Sequence, residues 1–251
     1  MKKLIISLLV FLSVNSFAQY SYYTAAKQGL SIREKPDASS KVLEKIGYGQ
    51  KITILADTST AVSINTEGFI GYWWKIKYNN KIGYVVSTYL LPAPPPKAGT
   101  KSIKEYFAQV SQVAGSKVVV KKGSFNNIEE SGYQLTKQLY KNGMEWYETQ
   151  GYEYGGETYM LPDFTIEQCF LLLRLIPQYL YLIGEKDVFP EKNYKSNKNN
   201  TEKTVEVERE DWGGQPGPVK RIKMTFAEGA FTTFEIFILD GQAVISWSAG
   251  V

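Results

Sequence analysis

Residues 72–91 read Y-W-W-K-I-K-Y-N-N-K-I-G-Y-V-V-S-T-Y-L-L, two runs of β-branched and aromatic residues separated by Asn79-Asn80. Asn tolerates the positive φ that a two-residue hairpin turn requires, so this pair predicts a tight turn and fixes which side chains share a face. Side chains alternate across a strand, so Trp73 and Trp74 point to opposite sides and at most one of them can enter a core on one side. Upstream, Leu30 and Ile32 alternate with polar neighbours, and residues 34–40 (E-K-P-D-A-S-S) make a turn-rich loop. Strands are expected at 42–46 and 51–55, around a Gly47-Tyr48-Gly49 turn. Residues 55–71 form a longer connection, either a flexible loop or an extra hairpin folded back through Val62, Ile64 and Phe69. Short alternating strands with close turns and no helical period predict a small barrel.

Residues 25–91 resemble the bacterial SH3 domain. Gly71, Trp73 or Trp74, Lys75, Ile76, Gly83, Tyr84, Val85, Tyr89 and Leu90 occupy the pattern of its last strands. Leu30, Ile32, Arg33, Pro36, Ser40, Val42 and Leu43 fit its earlier part, while Ser31 and Lys35 stand where Asn and Gly are usual. The resemblance implies a strongly bent barrel of five or six short strands, here placed over residues 20–92. Through the wider SH3 group it also implies a shallow ligand groove lined by Trp73 and Tyr89. Tyr72, Tyr48 and Tyr84 would be further walls, and Lys75 would meet a ligand carboxylate. The competing reading is that Trp73 only covers one end of the barrel.

The chain opens with Lys2-Lys3, an apolar run over 4–12 and the small residues Ser16 and Ala18, the layout of a cleaved secretory signal peptide over residues 1–18. A membrane anchor would need roughly 20 apolar residues, about twice this run. The mature protein is therefore expected to be periplasmic or secreted, with no membrane span. The net charge of +4 is halved when Lys2 and Lys3 leave, which is too balanced for a nucleic-acid binder.

Residues 93–100 (A-P-P-P-K-A-G-T) read as a Pro-rich linker, an extended spacer between units that fold independently. Residues 101–251 are expected to form an α+β domain with an antiparallel sheet and two main helices. Ser102 and Glu105 predict a capping box for a first helix that ends at Gly115. Strands are expected at 118–121, 133–141 and 144–154, with a turn at Asn142-Gly143 and another at Gly155-Gly156 leading to a short strand. The longest helix is expected over 165–183, kinked or interrupted by Pro177. Residues 184–203 predict a mobile surface loop, and strands at 204–208, 219–226, 231–239 and 243–247 close the chain. The order helix, strands, helix, strands also fits two diverged copies of one helix-plus-strands unit, without a residue-level repeat. Trp212 lies in a Gly/Pro-rich loop, either as an interaction residue or as a cap on a sheet edge.

The chain has no His and one Cys. Imidazole-dependent nucleophilic systems are therefore absent, and neither a cofactor nor a metal site is expected. Cys169 sits in an apolar run and reads as a buried hydrophobe. Any catalysis would fall to paired carboxylates drawn from Glu145, Glu148, Glu153, Glu206, Glu208, Glu210 and Asp211, which more simply form the solvated faces of strands. The expected function is that of a non-catalytic, exported binding protein for cell-wall peptide, peptidoglycan or another envelope protein. The alternatives are a carboxylate-dependent glycan hydrolase targeted by the SH3-like domain, and a structural or inhibitory protein in which that domain contacts its own second domain.

Overall fold

The computed structural model describes residues 20–55, 62–124, 131–198, 201–228 and 230–250. The expected signal peptide lies outside them. Eight strands build the first unit: β1 (Ser21–Thr24), β2 (Leu30–Arg33), β3 (Val42–Ile46), β4 (Lys51–Ile54), β5 (Ser63–Thr66), β6 (Phe69–Tyr78), β7 (Lys81–Val86) and β8 (Leu90–Leu91). They pair antiparallel in the order β3-β2-β7-β6-β4-β1-β8, with β5 on β6. Asn79 takes the positive φ (53°) that the β6–β7 turn demands. Leu30, Ile32, Ile46, Ile52, Ile76, Val85 and Leu90 fill the barrel. From Val62 onward the long connection is an extra hairpin, closed by Glu67 (φ 53°) and Gly68 (φ 79°) between β5 and the first residues of β6.

The second unit is one nine-stranded antiparallel sheet and two eight-residue helices among the described residues, one strand more than expected and with both helices shorter. Helix α1 (Ile103–Val110) precedes β9 (Val118–Lys122), β10 (Tyr133–Leu139), β11 (Glu145–Gly151) and β12 (Tyr154–Leu161). Helix α2 (Ile166–Leu173) precedes β13 (Tyr194–Lys198), β14 (Thr201–Trp212), β15 (Gln215–Glu228), β16 (Ala230–Leu239) and β17 (Gln242–Gly250). The order is β13-β14-β15-β16-β17-β12-β11-β10-β9, so each helix leads into its own meander and the two last strands pair in the middle. One face of the sheet carries the row Tyr159, Ile245, Ile236 and Ile222, all fully buried. The neighbouring row on the opposite face, Thr158, Ser246, Glu235 and Lys223, is polar, as suits a sheet solvated on one side.

Several expected elements change length for identifiable reasons. The helix expected over 165–183 stops at Leu173, because Pro177 lacks an N–H and its ring clashes with the carbonyl four residues back, that of Leu173. Pro177 instead starts a 3-10 turn, Pro177–Tyr179. At the other end Thr165 and Gln168 form a reciprocal capping box. Helix α1 ends at Val110 rather than at Gly115, and Val113 joins Tyr140 in a β-bridge. Ser102 caps α1 as expected, whereas the Glu105 carboxylate accepts from the Lys101 N–H. Gly155 and Gly156 lie inside β12, and the turn before it falls at Tyr152-Glu153, where Glu153 has φ 55°. Residues 184–203, expected as a mobile loop, contain β13 and the start of β14. Trp212 ends β14 beside a Gly213-Gly214 turn, 64% exposed, with its indole N–H on Glu210.

The two units share a hydrophobic core. Ala25, Phe69 and Leu91 of the first pack in one cluster with Phe170, Phe189 and Tyr106 of the second. The Phe69 ring meets Phe170 edge-on at 5.9 Å and Phe189 at 5.2 Å. At the hairpin tip the Glu67 carbonyl accepts from the Phe189 N–H at 2.9 Å, and the Glu67 carboxylate holds buried Arg174 at 2.7 Å. The Leu90 carbonyl accepts from Gln168 at 3.1 Å. The Pro-rich segment is packed rather than extended as a spacer: Pro95 and Pro96 are buried, and their carbonyls accept from Gln109 and from the Tyr48 hydroxyl. Proline carbonyls retain full acceptor strength, so a Pro-rich run can be fastened to a neighbour without any donor of its own.

Candidate functional site

The β6–β7 hairpin has one face turned into the barrel and one turned out. Trp74 opposite Val85 and Ile76 opposite Gly83 face inward, and Trp74 meets Tyr22 edge-on at 5.1 Å. Cross-strand partners share a face, so Trp73 with Val86, Lys75 with Tyr84 and Lys77 with Ile82 face outward. The single β2–β7 pairing adds Arg33 beside Tyr84. That pairing needs Gly83: a Cβ there would lie 2.6 Å from the Arg33 carbonyl and from Ile32. The Arg33 guanidinium donates to the Ser40 carbonyl at 2.6 Å, which anchors the turn-rich loop beside the face.

The outcome is a basic face with an aromatic centre. Lys75 and Lys77 are exposed, Ile82 is 54% exposed, and Tyr84 is half-buried between Lys75 and Arg33. Such a surface can hold a carboxylate or phosphate through the cations while the phenol covers an apolar part of the ligand. Arg33, Lys77 and Ile82 were not among the expected site residues. Nothing in the period-2 pattern pairs β2 with β7, and that pairing is what brings Arg33 in.

The six expected groove residues do not converge. Lys75 and Tyr84 lie together on this face. Trp73 shares the face but is only 6% exposed, and its backbone N–H donates to the Val62 carbonyl of the extra hairpin, so it offers little surface to a ligand. Tyr72 is 45% exposed on the other side of β6, opposite Ser63 of the extra hairpin. Tyr48 donates to the Pro96 carbonyl at 2.8 Å, and burial pushes its phenol up to about 12. Tyr89 packs against both cores beside Glu67, and burial first, then the Glu67 charge, raises its pKa. Tyr48 and Tyr89 thus serve the joint between the two units.

The candidate carboxylates are held in ion pairs or spread along strand faces. Glu145 bonds Lys137 and the Tyr147 hydroxyl, and these bonds outweigh burial and keep its carboxyl below the usual range. Glu157, which was not singled out from the sequence, lies under α1. Burial pushes its carboxyl up, but bonds from Lys104, the Tyr159 hydroxyl and the Trp247 indole more than offset this and leave it lowered. Glu148 lies 3.7 Å from the same Lys104. Glu206, Glu208 and Glu210 alternate along β14, and Glu153 sits in a turn. Cys169 is fully buried, and burial raises its thiol far above the range where it could react.

Residues 28–90 match the bacterial SH3 domain family. This segment is a bacterial SH3 domain, about a quarter of the chain, and the rest has no assigned family. No curated protein and no solved structure matches the chain. Among the described residues no helix is long and apolar enough to cross a membrane.

Proposed function

We propose that this is an exported, non-catalytic binding protein whose SH3 domain takes cell-wall peptide or peptidoglycan on the outer face of β6–β7. The observation that carries the reading is the placement of Lys75, Lys77 and Arg33 around Tyr84 on a bacterial SH3 domain, a type that typically binds cell-wall material. Stem peptides end in carboxylates and have small apolar side chains, and this face offers a partner for each. A binding role rather than a catalytic one is supported by the carboxylates. Glu145 and Glu157 are held ionised in hydrogen-bonded pairs, whereas a general acid needs a raised pKa.

The test is co-sedimentation with purified peptidoglycan. The wild-type chain should pellet with it and release no soluble fragments. A Lys75→Glu/Tyr84→Ala variant should stay in the supernatant with its thermal unfolding unchanged, since Lys75 is exposed and Tyr84 half-buried. Two disrupted contacts correspond to about 2–4 kcal/mol, some 30-fold or more in Kd. Equal pelleting of the folded variant rejects this face, and fragment release rejects the non-catalytic reading.

A further inference from the structure

Because Pro177 ends α2 early, the helical layer runs out before the sheet does. Helix α2 packs on β15, β16 and β17, but among the described residues no helix covers the row Ser196, Lys203, Phe226 and Thr232, which follows the buried row of Val205, Met224 and Phe234. Residues 180–192 overhang this row instead and leave a cleft of about 1070 Å³. That is the size of a ligand site rather than a packing defect.

The chemistry of the lining is specific. Tyr181 is 75% exposed, and with the exposed Leu180 before it stands out from a segment whose Tyr179, Leu182 and Ile183 are nearly or fully buried, so the backbone aims a large aromatic ring and a smaller apolar group into the cleft. Tyr194, on β13, is 40% exposed on the same wall-and-floor surface, and the Phe226 ring lies partly buried in the floor. Ser196, beside Lys203, and Thr232, beyond Phe226, bring hydroxyls to the two ends of the floor row. The lining charges balance in number, Asp187 and Glu191 against Lys192 and Lys203, and the Lys203 ammonium donates to the Leu182 carbonyl at 2.6 Å. A neutral trough with aromatic rings and hydroxyls does not suit a strongly charged ligand. An acyl chain would call for an enclosed apolar bore. A sugar ring, with an apolar C–H face and a rim of hydroxyls, matches both kinds of lining group.

We propose that this cleft is a saccharide-binding site, in which Tyr181 and Tyr194 stack on sugar rings and the Ser196 and Thr232 hydroxyls bond to sugar hydroxyls. The site is separate from the SH3 face and would give the protein a second contact with a glycan-containing polymer. Linear N-acetylglucosamine oligomers, with maltose oligomers as a second probe, are titrated into the full mature chain by calorimetry. Saturable binding that weakens about tenfold or more in Tyr181→Ala and in Tyr194→Ala, with unfolding of the exposed-site Tyr181 variant unchanged, supports the site. Retained binding in Tyr181→Phe, which keeps the ring, supports stacking. Absence of saturable binding of either oligomer at millimolar concentration overturns the proposal, as does equal affinity of wild type and both alanine variants. Binding of free stem peptides that is lost in the same alanine variants, without oligosaccharide binding, also overturns it. The Lys75→Glu/Tyr84→Ala variant should bind the oligomers as wild type does, so the fate of the cleft is read independently of the SH3 face.

Discussion

Phe69→Ala is expected to destabilise both units, although Phe69 belongs to the SH3 domain by sequence. Its side chain is 1% exposed and lies in the shared cluster against Phe170 and Phe189, with the Arg174 guanidinium 5.8 Å from the ring. An aromatic side chain buries roughly 150–250 Å², and at about 25 cal/mol per Å² most of that stabilisation is lost on truncation to Ala. The packed rings on either side limit collapse of the cavity, so the cost should be about 3–5 kcal/mol, the usual range for a buried Phe. Urea unfolding, followed by tryptophan fluorescence and far-ultraviolet circular dichroism, should show a midpoint lower by roughly 1–2 M for a chain of this size. The two signals should move together, since one cluster spans both units. Ile70→Ala is the control: Ile70 is 58% exposed, and its truncation should stay within about 0.5 kcal/mol of wild type. A Phe69→Ala cost below about 1 kcal/mol, or a transition of the nine-stranded sheet that does not shift, would refute the shared core and restore independent folding.

Gly68→Ala should cost about 2–5 kcal/mol in the same assay, because its φ of +79° disfavours a side chain and its Cβ would stand 2.3 Å from the Phe189 carbonyl oxygen. Glu67→Ala should cost roughly 1.5–3 kcal/mol, since it leaves the buried Arg174 guanidinium with the Glu185 carbonyl but without its carboxylate. Glu157 has a pKa below its ordinary 4.5 in the folded chain, so its stabilisation is complete above that value and is lost as pH falls through the folded-state pKa. Acid unfolding should therefore steepen below about pH 4.5, and Glu157→Gln should lower neutral-pH stability by roughly 1–3 kcal/mol while flattening that acid limb. A Glu157→Gln chain with an unaltered acid limb would show that other carboxylates govern it.

Local chemistry was legible where one or two residues dictate the backbone. Asn79 at positive φ, Ser102 as a cap, the Asn142-Gly143 turn and the alternation of Leu30 and Ile32 all follow from short-range sterics and hydrogen bonding, and all are present. Helix length was less legible. The run 165–183 is apolar throughout, which fits a buried helix and a buried irregular segment equally well. The clash of Pro177 with the turn before it decided the outcome. Residues 184–203 misled through composition: a Lys- and Asn-rich run reads as loop, yet β13 is an edge strand, where charged side chains protect an open sheet edge.

The aromatic residues of the SH3 segment show why the site was harder to read than the fold. Period-2 alternation says which side of β6 a residue leaves, and it correctly separates Trp73 from Trp74. It cannot say whether the outward side meets solvent, a ligand or the same chain. Phe69, Gly71 and Trp73 leave β6 on one side, and the first of them enters the core of the second unit. Tyr89 sits between the two cores, and Tyr48 is fastened to Pro96. The surface that the SH3 resemblance assigned to a ligand groove is thus partly used to hold the chain's own second half. What remains open is displaced along the hairpin to Lys75, Lys77 and Tyr84, away from the extra hairpin that makes the joint. The hairpin over residues 62–71 therefore decides both features at once: it locks the units together, and it leaves the far end of β6–β7 as the open part of this surface.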